Sequence, residues 1–139
     1  MKKTNKGFTL AELLIVVAII AVLVAVSIPI FVWQLEKSRE STDLANLRSA
    51  KAAAASMILA GDTTDDVYKA LTAGTGVYYD ADAGKLVTAK PSMVYGKGTS
   101  TTGDSTISTM NYTAGTVAAD KVIKVTYNST KTTFSFTWE

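Results

Sequence analysis

The residues that could carry chemistry in this sequence are mainly carboxylates and lysines. The 139 residues include no histidine and no cysteine. This removes the most common general acid–base side chain, every thiolate nucleophile and any Cys/His metal site. The remaining residue types form no nucleophile–base pair, metal-ligand set or phosphate-binding loop that the sequence reveals. We therefore predict that the chain is not an enzyme and uses no cofactor.

Two acidic features are the remaining candidates. Glu12 stands just before a long apolar run, where a carboxylate costs roughly 2.5–3.5 kcal/mol to insert and usually has a partner. Asp80 and Asp82, followed by Gly84, resemble part of a calcium loop but lack its other ligands. A tight turn between two strands is the better interpretation. We predict no metal site.

The apolar run is long enough to cross a membrane. No charged side chain occurs in Leu13–Trp33. As a helix, Leu13–Phe31 spans roughly 28 Å, close to the ~30 Å hydrocarbon thickness of a bilayer. Lys2, Lys3 and Lys6 precede the run, so we predict that the N-terminus faces the cytoplasm and the remainder faces outward. An ordinary secretory signal would have a small-residue cleavage site after the run, and none follows here.

The charge balance argues against a nucleic-acid partner. The formal net charge is +2, from 14 basic and 12 acidic residues. Three of the lysines lie within residues 1–7, and without that segment 11 basic and 12 acidic residues give −1. A nucleic-acid-binding protein usually has a strongly basic face. We predict no direct contact with nucleic acid.

The segment after the apolar run predicts a continuing, amphipathic helix. Its apolar residues recur at spacings of three and four, which places them on one face. They are Leu44, Leu47, Ala50, Ala54, Met57 and Ile58. Gly61 is a plausible stop. We predict one helix from about Phe8 to Ala60, apolar on all sides over residues 8–33 and amphipathic over residues 34–60.

Residues 61–139 predict a small head with an antiparallel sheet. We expect a short helix at Thr64–Ala73 and surface-loop character for the polar stretch Gly96–Ser105. The strand-like runs are Gly76–Tyr79, Lys85–Thr88, Met93–Tyr95, Thr106–Tyr112, Val122–Tyr127 and Thr133–Trp138. The last two alternate well and flank a hairpin loop at Asn128–Lys131. With the amphipathic helix as the cover of the sheet, the fold class is α+β.

The residues around Glu12 carry a family resemblance. Lys6-Gly7-Phe8-Thr9-Leu10-Ala11-Glu12-Leu13-Leu14-Ile15-Val16 resembles the processing and assembly signature of type IV pilins and pseudopilins. The resemblance covers about the first thirty residues, through Pro29. A basic leader, Gly-Phe-Thr-Leu-x-Glu and a long apolar run with a late proline rarely coincide by chance.

This resemblance implies a processing and assembly pathway. A prepilin peptidase would remove the leader, residues 1–7, by cutting between Gly7 and Phe8, and would methylate the new amino group of Phe8. The product would wait as a single-pass protein of the cytoplasmic membrane. Inner-membrane pilus assembly machinery would then extrude it into an extracellular filament of identical subunits with the apolar helices at the centre.

The resemblance also assigns roles to single residues. Gly7 has no side chain, so the bond can lie close to the catalytic groups of a peptidase. Glu12 would pair with the ammonium group of Phe8, of its own or a neighbouring subunit, and set the register of assembly. Pro29 lacks an amide hydrogen and clashes with the carbonyl of Ala25, which predicts a kinked or loosened helix around Ala21–Ile28. The alternatives are a location of Glu12 at headgroup depth and a simple membrane-helix kink.

Three functions remain open on the sequence. The first is a major pilin, with a role in adhesion, motility or surface interaction. The second, within the same family, is the major pseudopilin of a type II secretion or competence (DNA-uptake) system. The third is a membrane-anchored binding module that never polymerises. Many pilins close the end of the chain with a disulfide, and this sequence has no cysteine, so we expect pairing of Val122–Tyr127 with Thr133–Trp138 instead.

Overall fold

A computed structural model describes residues 6–99, 110–113 and 115–139 of the chain. The chain divides into two compact units, Met1–Gln34 and Leu35–Glu139. Element order is α1 (Leu10–Ala60), α2 (Asp66–Thr72), β1 (Val77–Asp80), β2 (Lys85–Val87), β3 (Ile123–Asn128) and β4 (Thr133–Trp138). This is the predicted α+β fold, with one long helix and a small antiparallel sheet.

Helix α1 ends where the sequence predicts. Gly61 follows it with a φ of 64°, a left-handed conformation that a residue without Cβ adopts at little cost. The Gly61 N–H donates to the Met57 carbonyl at 3.3 Å. In the second unit the predicted apolar stripe of α1 is confirmed. Leu47, Ala50 and Ala54 are fully buried, and Leu44 is nearly so.

Helix α2 is short and begins with a side-chain cap. The carboxylate of Asp65 accepts the N–H groups of Val67 at 2.7 Å and Tyr68 at 3.2 Å, which satisfies two of the four donors that a helix start leaves unpaired. Leu71 points into the core and is fully buried. The prediction of a short helix within Thr64–Ala73 is therefore confirmed.

The sheet has four antiparallel strands in the order β2-β1-β3-β4. Strands β3 and β4 form the predicted hairpin, with Ile123 opposite Trp138 and Val125 opposite Phe136. Since residues directly opposite each other share a face, the apolar sides of the two strands combine into one surface. Val125 is fully buried, and Phe136 is 2% exposed. The apolar face of the sheet thus lies in the core.

One of the six predicted strands is not found as a strand. Met93–Tyr95 is irregular. The Tyr95 N–H donates to the Lys121 carbonyl at 3.3 Å, just before β3, and the contacts with the strands themselves are made by the Tyr95 side chain. The Tyr95 hydroxyl donates to the Tyr79 carbonyl and accepts the Ile123 N–H, both at 2.8 Å. Most of the predicted strand Thr106–Tyr112 lies outside the described residues.

The predicted surface loop Gly96–Ser105 requires a correction over its described part, residues 96–99. Gly96 and Gly98 are buried. The polar composition was misleading, because Lys97, Gly98 and Thr99 donate backbone N–H groups to buried carboxylates of α1. Residues 100–105 lie outside the described residues.

Candidate functional site

The predicted cleavage point lies in a segment without regular structure. Residues 6–9 are not helical, and α1 begins at Leu10. A Cβ placed on Gly7 would meet nothing within 4 Å, and the Phe8 side chain is 87% exposed. The Gly7–Phe8 bond is therefore open to an approaching protease, and cleavage at this bond stays a prediction.

Thr9 and Glu12 form a reciprocal cap at the start of α1. The Thr9 N–H donates to Glu12 Oε2 at 2.8 Å, and the Glu12 N–H donates to Thr9 Oγ1 at 3.2 Å. This capping box satisfies one backbone donor on each residue. The pattern Thr-x-x-Glu before an apolar run was the sequence signal for this cap. The sequence analysis missed it, because it considered Glu12 only for a role in assembly.

The predicted pair between Glu12 and the Phe8 ammonium stays a prediction. In the chain described here, the nitrogen of Phe8 is part of the peptide bond to Gly7, so it carries no charge. Cleavage would convert that nitrogen into an ammonium group close to the capping box. The carboxylate of Glu12 could then accept a hydrogen bond from either the Thr9 amide or the Phe8 ammonium group. Charged donors make the stronger hydrogen bonds, which favours the ammonium group.

Helix α1 continues without interruption through Pro29. Pro29 removes one donor from the helical ladder. Two residues before it, the Ser27 hydroxyl donates to the Leu23 carbonyl at 2.7 Å. The single chain thus shows no break around Ala21–Ile28. The loosening of the helix there stays a prediction for the assembled filament.

The calcium-like segment forms a tight turn, as the sequence predicts. Asp80 Oδ1 accepts the N–H groups of Asp82 at 3.0 Å and Ala83 at 3.1 Å. Gly84 completes the turn with a φ of 64°. Among the residues that the structure describes, no three acidic, histidine or cysteine side chains are grouped so that they could hold a metal ion.

The sequence analysis did not predict that three carboxyl groups on α1 are buried. Glu36, Glu40 and Asp43 are 2%, 4% and 0% exposed. They are spaced four and three residues apart and continue the stripe that Leu44 and Leu47 occupy, and this spacing was the available signal. Carboxylates are rarely buried unless they are paired or hydrogen-bonded.

Asp43 is held by the backbone of a distant segment. Its Oδ1 accepts the Lys97 N–H at 2.8 Å, and its Oδ2 accepts the Gly98 N–H at 2.6 Å. The Tyr112 hydroxyl donates to Oδ2 at 3.3 Å. Removal from water raises the pKa of Asp43, and the two amide hydrogen bonds oppose this rise without cancelling it. Burial, followed by the charge of Asp43, likewise raises the pKa of Tyr112.

The raised pKa of Asp43 predicts a pH dependence of stability. The folded chain binds this proton more tightly than the unfolded chain, so the contribution of Asp43 to the free energy of unfolding falls as pH rises from 3.8 through the raised value. We expect the melting temperature of the wild-type chain minus that of Asp43→Asn to be largest at the acid end and to shrink on going to neutral pH. Thermal melts of both chains in mild detergent measure it. A difference that grows with pH would contradict the raised pKa.

The end of the sheet is closed without a crosslink, by the predicted pairing of β3 with β4. Beyond the strands, Val122 and Glu139 exchange two backbone hydrogen bonds of 2.9 Å. The Glu139 side chain accepts from Lys124 Nζ at 3.2 Å and from the Tyr78 hydroxyl at 3.1 Å. The Lys124 contact lowers the pKa of Glu139, and the same contact raises the pKa of Lys124.

The apolar part of α1 is uncovered in the single chain. The side chains of Leu13–Val32 are all exposed. Within the described residues, α1 is the one helix that is long and apolar enough to cross a membrane. Exposed apolar surface on this scale marks an interaction with a membrane or with other protein chains.

Comparison with known proteins gives matches to both parts of the chain. The family profile described as the prokaryotic N-terminal methylation motif matches residues 2–28. A fimbrial protein of Dichelobacter nodosus is 33% identical over 127 residues, which are 90% of this chain and 77% of that protein. The type IV major pilin protein PilA of Myxococcus xanthus is 49% identical over 45 residues, 32% of this chain and 20% of that protein. Fimbrial protein Q of Moraxella bovis is 33% identical over 81 residues, about half of each chain.

No solved structure matches the chain at a significant level.

Proposed function

The chain belongs to the type IV pilin family, and from this premise we propose that it is the major structural subunit of an extracellular type IV pilus. The observation that carries the proposal is α1 with its flanking segment. The Gly7–Phe8 bond before α1 is accessible, Glu12 lies in the capping box of its first turn, and the apolar side chains that follow, Leu13–Val32, are exposed on every side. Such a helix needs a bilayer before assembly and neighbouring copies of itself after assembly.

The proposed pathway begins at the cytoplasmic face of the membrane. A prepilin peptidase cuts between Gly7 and Phe8 and methylates the amino group of Phe8. The head stands outside, because Lys2, Lys3 and Lys6 hold the N-terminal end inside. The pilus assembly machinery then extracts the subunit and builds it into the fibre. Glu12 of the incoming subunit pairs with the ammonium group of a Phe8, and this pair fixes the axial register.

The family consists of structural proteins, and the proposed role is non-catalytic. A major pilin is favoured over a pseudopilin because the relatives with known names include a type IV major pilin and type IV major fimbrial proteins. The pilus itself would serve adhesion, motility or another surface interaction. A pseudopilin of a secretion or DNA-uptake system is the alternative within the family.

Deletion of the chain in its host tests the proposal. We expect surface filaments to disappear in electron micrographs and to return when the wild-type chain is supplied, with the chain abundant in the sheared fraction. Protein secretion and DNA uptake, measured in the same strains, should be unchanged. Loss of secretion or DNA uptake with intact surface filaments would favour the pseudopilin. A chain found only in the membrane fraction, with no filament phenotype, would favour an anchored binding module.

A further inference from the structure

Three consecutive backbone amides fasten the connection between β2 and β3 to α1. The N–H groups of Lys97 and Gly98 bind the carboxylate of Asp43. The Thr99 N–H donates to Glu36 Oε1, and the Thr99 hydroxyl donates to Glu36 Oε2 at 2.7 Å. Hydrogen bonds to ionised acceptors are roughly twice as strong as neutral ones. We refer to Glu36, Asp43 and the N–H groups of residues 97–99 as the clasp.

Two glycines, Gly98 in the clasp and Gly96 beside it, lie where a side chain has little room. A Cβ on Gly98 would lie 2.7 Å from Asp43 Oδ2 and 2.7 Å from the Tyr112 hydroxyl oxygen. A Cβ on Gly96 would overlap the carbonyl oxygen of Ala118. Neither glycine has the left-handed φ that only glycine adopts easily. The lack of a side chain therefore serves the close approach of the backbone to the carboxylate and to Ala118.

The fastened segment is tied in turn to the sheet. The N–H groups of Ala118 and Ala119 both donate to the Gly98 carbonyl at 2.9 Å, and the Asp120 N–H donates to the Gly96 carbonyl at 3.2 Å. The next residue but one, Val122, exchanges backbone hydrogen bonds with Glu139 beside β4. We refer to residues 96–99 and 118–121 as the strap. It runs from the buried carboxylates of α1 to the edge of the β3–β4 hairpin.

We propose that the clasp controls the opening of the strap, so that two buried carboxylates of α1 perform the closure that a covalent crosslink would otherwise provide. The clasp joins segments 54 to 63 residues apart in the chain, and a crosslink restrains the unfolded chain more strongly the longer the loop that it closes. Its strength depends on both oxygens of Asp43 accepting hydrogen bonds from the backbone. This proposal concerns the head of the chain and does not depend on the function of the filament.

Hydrogen exchange of the full chain in mild detergent tests the clasp. Asp43→Asn replaces one oxygen by an NH₂ group, which must face either the Lys97 N–H or the Gly98 N–H. Loss of one or two charge-assisted bonds predicts about 10- to 100-fold faster exchange at residues 97–99. Residues 118–120 should follow, because their amides bind the same segment. The amides of β3 and β4 should keep the wild-type rates.

Glu36→Gln provides a graded second variant. One oxygen of Glu36 faces the Thr99 N–H. The other faces the Thr99 hydroxyl, which can reverse its role and accept from the new NH₂ group. It also faces the Arg39 guanidinium at 3.4 Å, whose side chain is 42% exposed and can turn toward water. We expect a smaller acceleration than for Asp43→Asn. Asp66→Asn, at an exposed carboxylate of α2, is the matched control and should leave exchange at residues 97–99 unchanged.

Trypsin gives a second readout that also works on assembled material. Cleavage after Lys97 requires the backbone on both sides to leave the clasp and enter the protease. We expect this cut to be slow in the wild-type chain, about 10-fold or more faster in Asp43→Asn, and fast in Gly98→Ala, whose Cβ has no room. Unchanged exchange and cleavage at residues 97–99 in Asp43→Asn would overturn the proposal. Equal acceleration throughout the sheet would also overturn it, because the carboxylates would then support global folding and not the strap.

Discussion

Cells that express Glu12→Ala are expected to cleave the chain normally and to assemble almost no filament. Cleavage should persist because the Gly7–Phe8 bond lies in the accessible segment before α1 and makes no use of the carboxylate. Assembly should fail because each Phe8 ammonium would enter an apolar filament core without its partner. An unpaired buried charge costs about 3–5 kcal/mol, which weakens subunit addition by more than about 100-fold. Quantitative blots of the sheared and membrane fractions measure both steps.

Thr9→Ala separates the capping role of Glu12 from its charge. This variant removes the hydroxyl that accepts the Glu12 N–H, at a cost of about 0.5–2 kcal/mol to the helix start, but keeps the carboxylate. We expect filament yield to fall far less than in Glu12→Ala. Equal losses in the two variants would show that the capping box, and not an intersubunit charge pair, is what assembly requires. Normal filament yield in Glu12→Ala would exclude the assembly role.

Leu47→Ala should be the most damaging single truncation on the head side of α1. Leu47 is fully buried in the core that α1 shares with the sheet, and removing three carbon atoms there leaves a cavity. Leucine-to-alanine changes at such sites cost about 2–5 kcal/mol. Circular dichroism of the full chain in mild detergent, followed in the aromatic region during heating, should show a melting transition lowered accordingly.

Leu59→Ala is the control for this prediction. The two residues are of the same type on the same helix, and Leu59 is 87% exposed. Its truncation should change stability by no more than about 0.5 kcal/mol. Equal melting temperatures of the two variants would contradict the described packing of α1 on the sheet.

The elements with a local signal were predictable from the sequence. The apolar run, the stripe of Leu44 and Leu47 and the stop at Gly61 depend on spacing within a few residues, so the pattern predicts them directly. The alternation of β3 and β4 and their short connection likewise defined the hairpin. The family signature around Gly7 and Glu12 identified the N-terminal segment with no structural information.

The clasp was not predictable, because its parts are far apart in the sequence. Glu36 and Asp43 look like the solvated acids of an amphipathic helix, and Gly96–Thr99 looks like a polar loop. Only the fold brings them together. The partners of the carboxylates are backbone N–H groups, which almost every residue type has, so the sequence does not reveal them. Tyr95 was predicted in a strand and lies in an irregular segment, where its hydroxyl joins Tyr79 of β1 to Ile123 of β3, a long-range contact that the local pattern does not reveal.

The central claim is that this chain is processed and then built into a fibre. Mass spectrometry of the N-terminal peptide, from material sheared off cells and separated by size, tests it most directly. We predict a peptide that begins at N-methylated Phe8 and lies in the high-molecular-weight filament fraction. A peptide that begins at Met1 or Lys2, recovered only with the membrane, would contradict the claim and leave a membrane-anchored module that does not polymerise.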